Sequence, residues 1–122
     1  TRAATLQILS DLIGFPTVSS DSNLALIDYA AEYLGKLGAN VHTFRAPDGT
    51  KANLFATIGP EVDGGIVLSG HSDVVPVTDQ AWSSDPFGMR VAEGKAYGRG
   101  TCDMKGFIAA ALAMAPHYAK TT

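Results

Sequence analysis

Two stretches of the sequence carry side chains whose types and spacing suit metal or acid–base chemistry. The first is Ser69-Gly70-His71-Ser72-Asp73, which follows the apolar run Ile66-Val67-Leu68. In an extended backbone His71 and Asp73 lie two residues apart and leave on the same face. A metal-binding histidine uses one ring nitrogen and donates the other N–H to an orienting acceptor, often a carboxylate. Asp73 is spaced to be that acceptor. Sites in open α/β sheets gather beyond the carboxyl ends of strands, which is where His71 would sit. A His-x-Asp pair at a strand exit is equally a hydrogen-bonded structural pair, and the spacing leaves both readings open.

The second stretch is Gly98-Arg99-Gly100-Thr101-Cys102-Asp103-Met104-Lys105-Gly106. Glycines flank an aspartate that stands just before an apolar helical run. The positive end of a helix and its free N–H groups favour an anion there, so Asp103 would stay ionised and able to bind a metal. The plain alternative is that Asp103 is a helix N-cap. Cys102 is a nucleophile in principle but has no evident base partner, and a small buried apolar role is the simpler reading. His42 falls on an alternating strand and His117 near a helix C-terminus, both with structural explanations. Trp82 and Asp85-Pro86-Phe87 read as a packed turn. Arg90, Arg99 and Lys105 are the cations near these stretches, with solvated or structural roles as the default.

The elements that must position these residues are legible from periodicity. Residues 3–13 place Leu6, Leu9 and Ile13 on one helical face, with Gly14 and Pro16 as stop signals. Ser22 is a plausible N-cap for a second helix carrying Leu24, Ile27, Ala31 and Leu34, with Gly38 as its C-terminal cap. Residues 40–45 alternate as a strand, a turn follows at Pro47-Asp48-Gly49, and Asn53 to Ile58 reads as a second strand. Gly65 to Ser69 reads as a third, buried on both faces. Residues 89–92 and 95–97 form a predicted hairpin turning at Glu93-Gly94. Met104 to Ala115 is apolar all round, which predicts a buried helix, with Pro116 as a stop or kink.

Size and composition bound the remaining possibilities. The 122 residues suffice for a compact core, and 46% hydrophobic with 17% charged residues excludes general disorder. A net charge of −3 without a Lys/Arg cluster excludes a nucleic-acid or anionic-membrane footprint. No apolar run reaches the ~20 residues of a membrane span. One cysteine allows no internal disulfide, and a cytoplasmic setting is expected.

The two stretches occurring together in this order resemble a family. Ser69 through Pro76, Trp82 through Phe87 and Tyr97 through Gly106 resemble the dinuclear zinc amidohydrolases and peptidases. That family includes acetylornithine deacetylase, succinyl-diaminopimelate desuccinylase, aminoacylase and bacterial glutamate carboxypeptidases. Thr101 through Phe107 and Asn53 through Gly59 look most like the acetylornithine deacetylase branch. The resemblance covers nearly the whole chain. It implies an α/β fold, the N-terminal part of a zinc-exopeptidase-like catalytic domain with a mixed sheet flanked by helices. It implies His71 as a terminal zinc ligand, Asp103 as a carboxylate bridging two zincs and Asp73 as the catalytic-centre residue that orients His71. It also implies a cis peptide between Asp103 and Met104. Ser72 stands where the family more often has Thr.

The implied reaction is hydrolysis of an N-acyl amino acid, N-acetylornithine to ornithine and acetate in arginine biosynthesis, with two zinc ions (or cobalt). Desuccinylase, aminoacylase, dipeptidase and a non-catalytic relative are the alternatives. The family's adjacent Glu-Glu pair, its remaining metal ligands and its dimerisation domain have no counterpart in these residues. Residues 1–122 therefore read as the N-terminal portion of the catalytic domain, expected to be inactive alone and to hold zinc weakly or not at all. A homodimer is implied for the full-length enzyme. Self-association of these residues through exposed apolar surface is a further expectation.

Overall fold

The computed structural model describes residues 1–121. Its elements are α1 (Arg2–Ile13), α2 (Leu24–Lys36), β1 (Asn40–Arg45), β2 (Ala52–Thr57), β3 (Arg90–Ala92), β4 (Lys95–Tyr97) and α3 (Gly106–Thr121). The α/β reading holds: helices flank small sheets, and both antiparallel and parallel pairing are present. β1 pairs antiparallel with β2 from Asn40 opposite Thr57 to Arg45 opposite Ala52. β3 and β4 form the expected short hairpin, with Arg90 opposite Tyr97. Its turn residues Glu93 and Gly94 both take positive φ, 54° and 74°, as a tight two-residue hairpin turn requires. The parallel contact is an isolated bridge between Val18 and Val74.

The core lies where α1, α2, β2 and α3 meet. Ile8, Leu9, Leu12 and Ile13 of α1 pack with Leu26, Ile27 and Leu34 of α2, Ala52 of β2, and Ala109, Leu112 and Ala113 of α3. Leu12 and Ile13 are completely buried; each such side chain contributes ~1.5–3 kcal/mol of transfer free energy. Polar contacts fix how the helices meet. The Tyr29 hydroxyl donates to Asp11 Oδ2 at 2.8 Å, and the Tyr33 hydroxyl donates to the Leu112 carbonyl at 2.7 Å. Burial, followed by the Asp11 hydrogen bond and charge, pushes the Tyr29 hydroxyl up to about 12.

Four local expectations need correcting. The residue at the start of α2 is Asn23, and its side chain makes no capping bond. Asn23 instead exchanges two 2.9 Å hydrogen bonds with the backbone of Ala52, tying the helix to β2. Ser22 acts one position earlier, accepting from the Leu24 N–H at 3.2 Å. On α1 and α2 the buried stripe is Ile8, Leu9, Leu12, Ile13 and Leu26, Ile27, Ala30, Leu34, so Leu6 and Ala31 sit at its margin.

The largest correction concerns Gly65 to Ser69. The segment is not a strand among the described residues, and Ile66 and Val67 are 90% and 75% exposed. An extended run becomes a ladder only where another backbone lies beside it, and none of the described residues supplies one. Finally, α3 starts at Gly106 rather than Met104 and runs through Pro116. Ala109, Leu112, Ala113 and Ala115 are buried, whereas Phe107, Met114 and Tyr118 are exposed. The helix is thus covered by α1 on one side and is not buried all round.

Candidate metal centre

The segment 70–74 is laced to residues 17–19, which follow α1. Val74 N–H donates to the Thr17 carbonyl at 2.9 Å, and Ser19 N–H donates to the Val74 carbonyl at 3.1 Å. The buried Thr17 hydroxyl donates to the Ser72 carbonyl at 2.6 Å. On its other side the segment rests on the start of α3. A Cβ added to Gly70 would lie 3.1 Å from Met104 Cε and 3.2 Å from Ile108 Cγ1, so the backbone here approaches those side chains closely. The His71 N–H meets Met104 Sδ at 3.4 Å.

Asp103 arrives on a different support. Thr101–Lys105 forms a kinked turn in which Asp103 and Met104 leave helical geometry, with φ −126° and −138°. The peptide between them is cis. Lys105, next in sequence, is fully buried, and its Nζ donates to the carbonyls of Leu12 and Phe15, each at 2.8 Å. These carbonyls lie at the C-terminal end of α1, where a cation is favoured. Desolvation lowers the Lys105 amine to about 8. Gly100 takes φ 92°, and a Cβ there would stand 2.6 Å from Val74 Cγ1. Val74 therefore presses the two stretches together.

The result is a short chain of polar groups. His71 Nδ1 lies 3.0 Å from Asp73 Oδ1 and 3.2 Å from the Asp73 carbonyl. His71 Nε2 lies 3.0 Å from Asp103 Oδ1. The other Asp73 oxygen accepts from the Ser19 hydroxyl, and the Ser19 carbonyl accepts from Lys51 Nζ. Burial works against the charged form of His71. The hydrogen bond to Asp103 and the carbonyl and charge of Asp73 outweigh it and raise His71 above the ordinary histidine value. The Ser19 hydrogen bond, opposed by burial and aided by His71, holds the Asp73 carboxyl below the ordinary range.

The expected site residues His71, Asp73 and Asp103 thus come together. The capping alternative for Asp103 is not realised, because its carboxylate faces His71 and its side chain is 80% exposed. Cys102 is exposed rather than buried and lines, with Val75 and Gly98–Asp103, a depression of about 200 Å³ beside Asp103. A larger cleft of about 680 Å³ is bordered by Leu68, His71, Asp73, Ile27, Leu54 and Phe107. His42 and His117 are exposed and take no part. The packed-turn reading of 82–87 stands: Phe87 N–H donates to Asp85 Oδ1 at 2.9 Å. Arg99 stacks 5.3 Å from the Trp82 ring and donates to Gln80, while Arg90 stacks 4.6 Å from Tyr97. Sequence reasoning missed Ser19, Thr17 and Lys51, which reach the site from positions up to 55 residues away. No spacing rule signals such contacts.

The donor set can be tested against a metal. Both ring nitrogens of His71 face groups that only accept. In the neutral ring one of the two contacts therefore sets a lone pair against an oxygen. A cation held between Nε2 and Asp103 removes that conflict, while Nδ1–H stays on Asp73. An imidazole and a carboxylate suit zinc, so these residues fit the group. Among the described residues no cluster of three or more His, Cys, Asp or Glu side chains is placed to hold a metal.

Residues 67–122 match the model of peptidase family M20/M25/M40. This stretch of the chain resembles that family. It is 43% identical over 111 residues to the acetylornithine deacetylase of Pasteurella multocida, covering 85% of this chain and 29% of that protein. It is 40% identical to the acetylornithine deacetylase of Proteus mirabilis, over 85% of this chain and 28% of that one. The fold matches the crystal structure of human carnosine dipeptidase 1 with a TM-score of 0.79, at 24% identity over 98% of this chain and 29% of that one. The chain thus spans under a third of the length of the curated relatives it matches. No helix among the described residues is long and apolar enough to cross a membrane.

Proposed function

We propose that residues 1–122 are the N-terminal portion of the catalytic domain of a zinc-dependent amidohydrolase. They would contribute His71, Asp73 and Asp103 to a two-metal centre for hydrolysis of an N-acyl amino acid. The observation that carries this reading is His71 held between two carboxylates, Nδ1 on Asp73 and Nε2 toward Asp103, each at 3.0 Å. His71 and Asp103 would hold zinc, or cobalt. Two such ions would polarise the amide carbonyl and lower the pKa of water at neutral pH. Asp73 would keep the proton on Nδ1, leaving the Nε2 lone pair free to ligate. Asp103, whose carboxylate faces His71 and caps no helix, would hold the metal together with it. Overall, water adds to the amide carbon, the C–N bond breaks, and a carboxylate and an amine leave.

N-acetylornithine is the proposed substrate, with acetate and ornithine as products in arginine biosynthesis. The relatives named acetylornithine deacetylase support it. A homodimeric, cytoplasmic enzyme acting on a small molecule is part of the same reading. The general base and the remaining ligands would come from outside these residues, which contain no Glu-Glu pair. Residues 1–122 alone should therefore show no hydrolysis.

The test uses the full-length gene product. Ornithine release from N-acetylornithine should disappear on chelation, return with zinc or cobalt, and fall at least ~100-fold in His71→Ala and Asp103→Ala. A panel with N-succinyl-diaminopimelate, other N-acetyl amino acids and dipeptides assigns the acyl and amine specificity. Undiminished hydrolysis by His71→Ala, or by thoroughly chelated protein, would sink the proposal.

A further inference from the structure

Ser19 reaches the candidate centre from 54 residues away, a link to Asp73 that was invisible in the sequence. It sits on the strap 17–19, whose backbone is fixed to residues 72–74 by the Val18–Val74 bridge and its two hydrogen bonds. The strap is held from a second direction by Lys51, just before β2, which donates to the Ser19 carbonyl. Its hydroxyl has one proton and two acceptors in reach, Asp73 Oδ2 and, at 3.4 Å, the Val74 carbonyl. The charged acceptor wins, because hydrogen bonds to a carboxylate are roughly twice as strong as neutral ones. With Oδ2 engaged by Ser19, Oδ1 is left turned toward His71 Nδ1 at 3.0 Å. Asp73 is half-exposed, so without this bond only the contact with His71 opposes rotation of the carboxylate toward water.

We infer that Ser19 is a positioning residue for the metal centre: its hydroxyl orients Asp73, and Asp73 then holds the His71 ring with Nε2 free to ligate. The inference rests on the metal-centre reading above but adds a member to it. Serine suits the place. The backbone is already tethered on both sides, so a short hydroxyl reaches the carboxylate with little conformational entropy to lose. Threonine keeps the hydroxyl; alanine removes it and nothing else.

The test compares wild type, Ser19→Ala, Ser19→Thr and a Ser20→Ala control in the full-length gene product. Two readouts are taken: zinc affinity by competition with a chromogenic chelator, and the His71 ring tautomer in metal-free protein by long-range 15N–1H NMR. Loss of an outer partner of a metal-binding histidine typically weakens metal binding 10–100-fold. Ser19→Ala should therefore bind zinc about 10-fold more weakly. It should also shift proton population from Nδ1 toward Nε2, and its urea midpoint should barely move. Ser19→Thr should restore both readouts, and Ser20→Ala should match wild type. Wild-type affinity and tautomer in Ser19→Ala would overturn the inference, as would a loss that Ser19→Thr fails to restore. If wild type binds no zinc, the metal-centre reading falls, and the tautomer readout alone then decides whether Ser19 orients the pair.

Discussion

Residues 60–69 and 70–74 are neighbours in sequence and opposites in structure. Ile66, Val67 and Leu68 are apolar yet exposed, with no ladder beside them. Gly70 to Val74 is more polar, yet it is tied to the strap 17–19 by two backbone hydrogen bonds and by the Thr17 and Ser19 hydroxyls, and it rests on the start of α3. Order therefore follows available partners and not hydrophobicity. The polar segment has backbone donors and acceptors opposite it, and the apolar segment does not. His71, proposed to bind metal, and Asp73, which holds its ring, lie on the segment with partners.

The contrast can be broken most directly at Lys105. Lys105→Ala removes a fully buried side chain and leaves the carbonyls of Leu12 and Phe15 unpaired. Urea denaturation should show a loss of about 3 kcal/mol, combining cavity and unsatisfied-acceptor costs. A loss under about 1 kcal/mol would mean that the Asp103 turn is not anchored through α1. Next comes Gly100→Ala, which places a Cβ at φ 92° and 2.6 Å from Val74 Cγ1. A cost of about 2 kcal/mol is expected, together with weakened zinc binding as the two stretches are pushed apart. Unchanged stability would show that Val74 yields freely.

Smaller still is Tyr29→Phe, at about 1 kcal/mol for the lost bond to Asp11, and its effect depends on pH. The folded-state value is raised to about 12 from 10. The native protein therefore keeps a proton that the unfolded chain releases. The stabilisation is complete below pH 10 and is lost as pH rises through about 12. Urea midpoints of wild type and Tyr29→Phe should converge over that window; a constant gap contradicts it. The smallest effect belongs to the open segment. Val67→Ser should change stability by no more than about 0.5 kcal/mol, and a loss above about 1 kcal/mol would show that the segment is packed after all.

Much of the site was legible because its signals are local. His-x-Asp spacing, an aspartate between glycines and the hairpin dipeptide Glu93-Gly94 each depend on residues within a few positions. Helices α1 and α2 followed from 3.6-residue periodicity, although Asn23 left its capping role because β2 lay close enough to offer it two bonds. The misreadings share one cause. Burial of Gly65 to Ser69, of α3 and of Cys102 was inferred from their own apolar character, and burial is a property of what lies opposite.

The amino-acid order by itself determined the helices, the hairpin turn and which residues carry donor atoms, since these depend on backbone sterics and side-chain chemistry. Only tertiary structure decided that His71 faces both carboxylates, that Lys105 closes the end of α1, and that Ser19 reaches Asp73 across 54 positions. Those contacts arise from the packing of α1 against α3 and of the strap against residues 72–74. Such long-range approach is set by the whole core and is encoded in no single stretch.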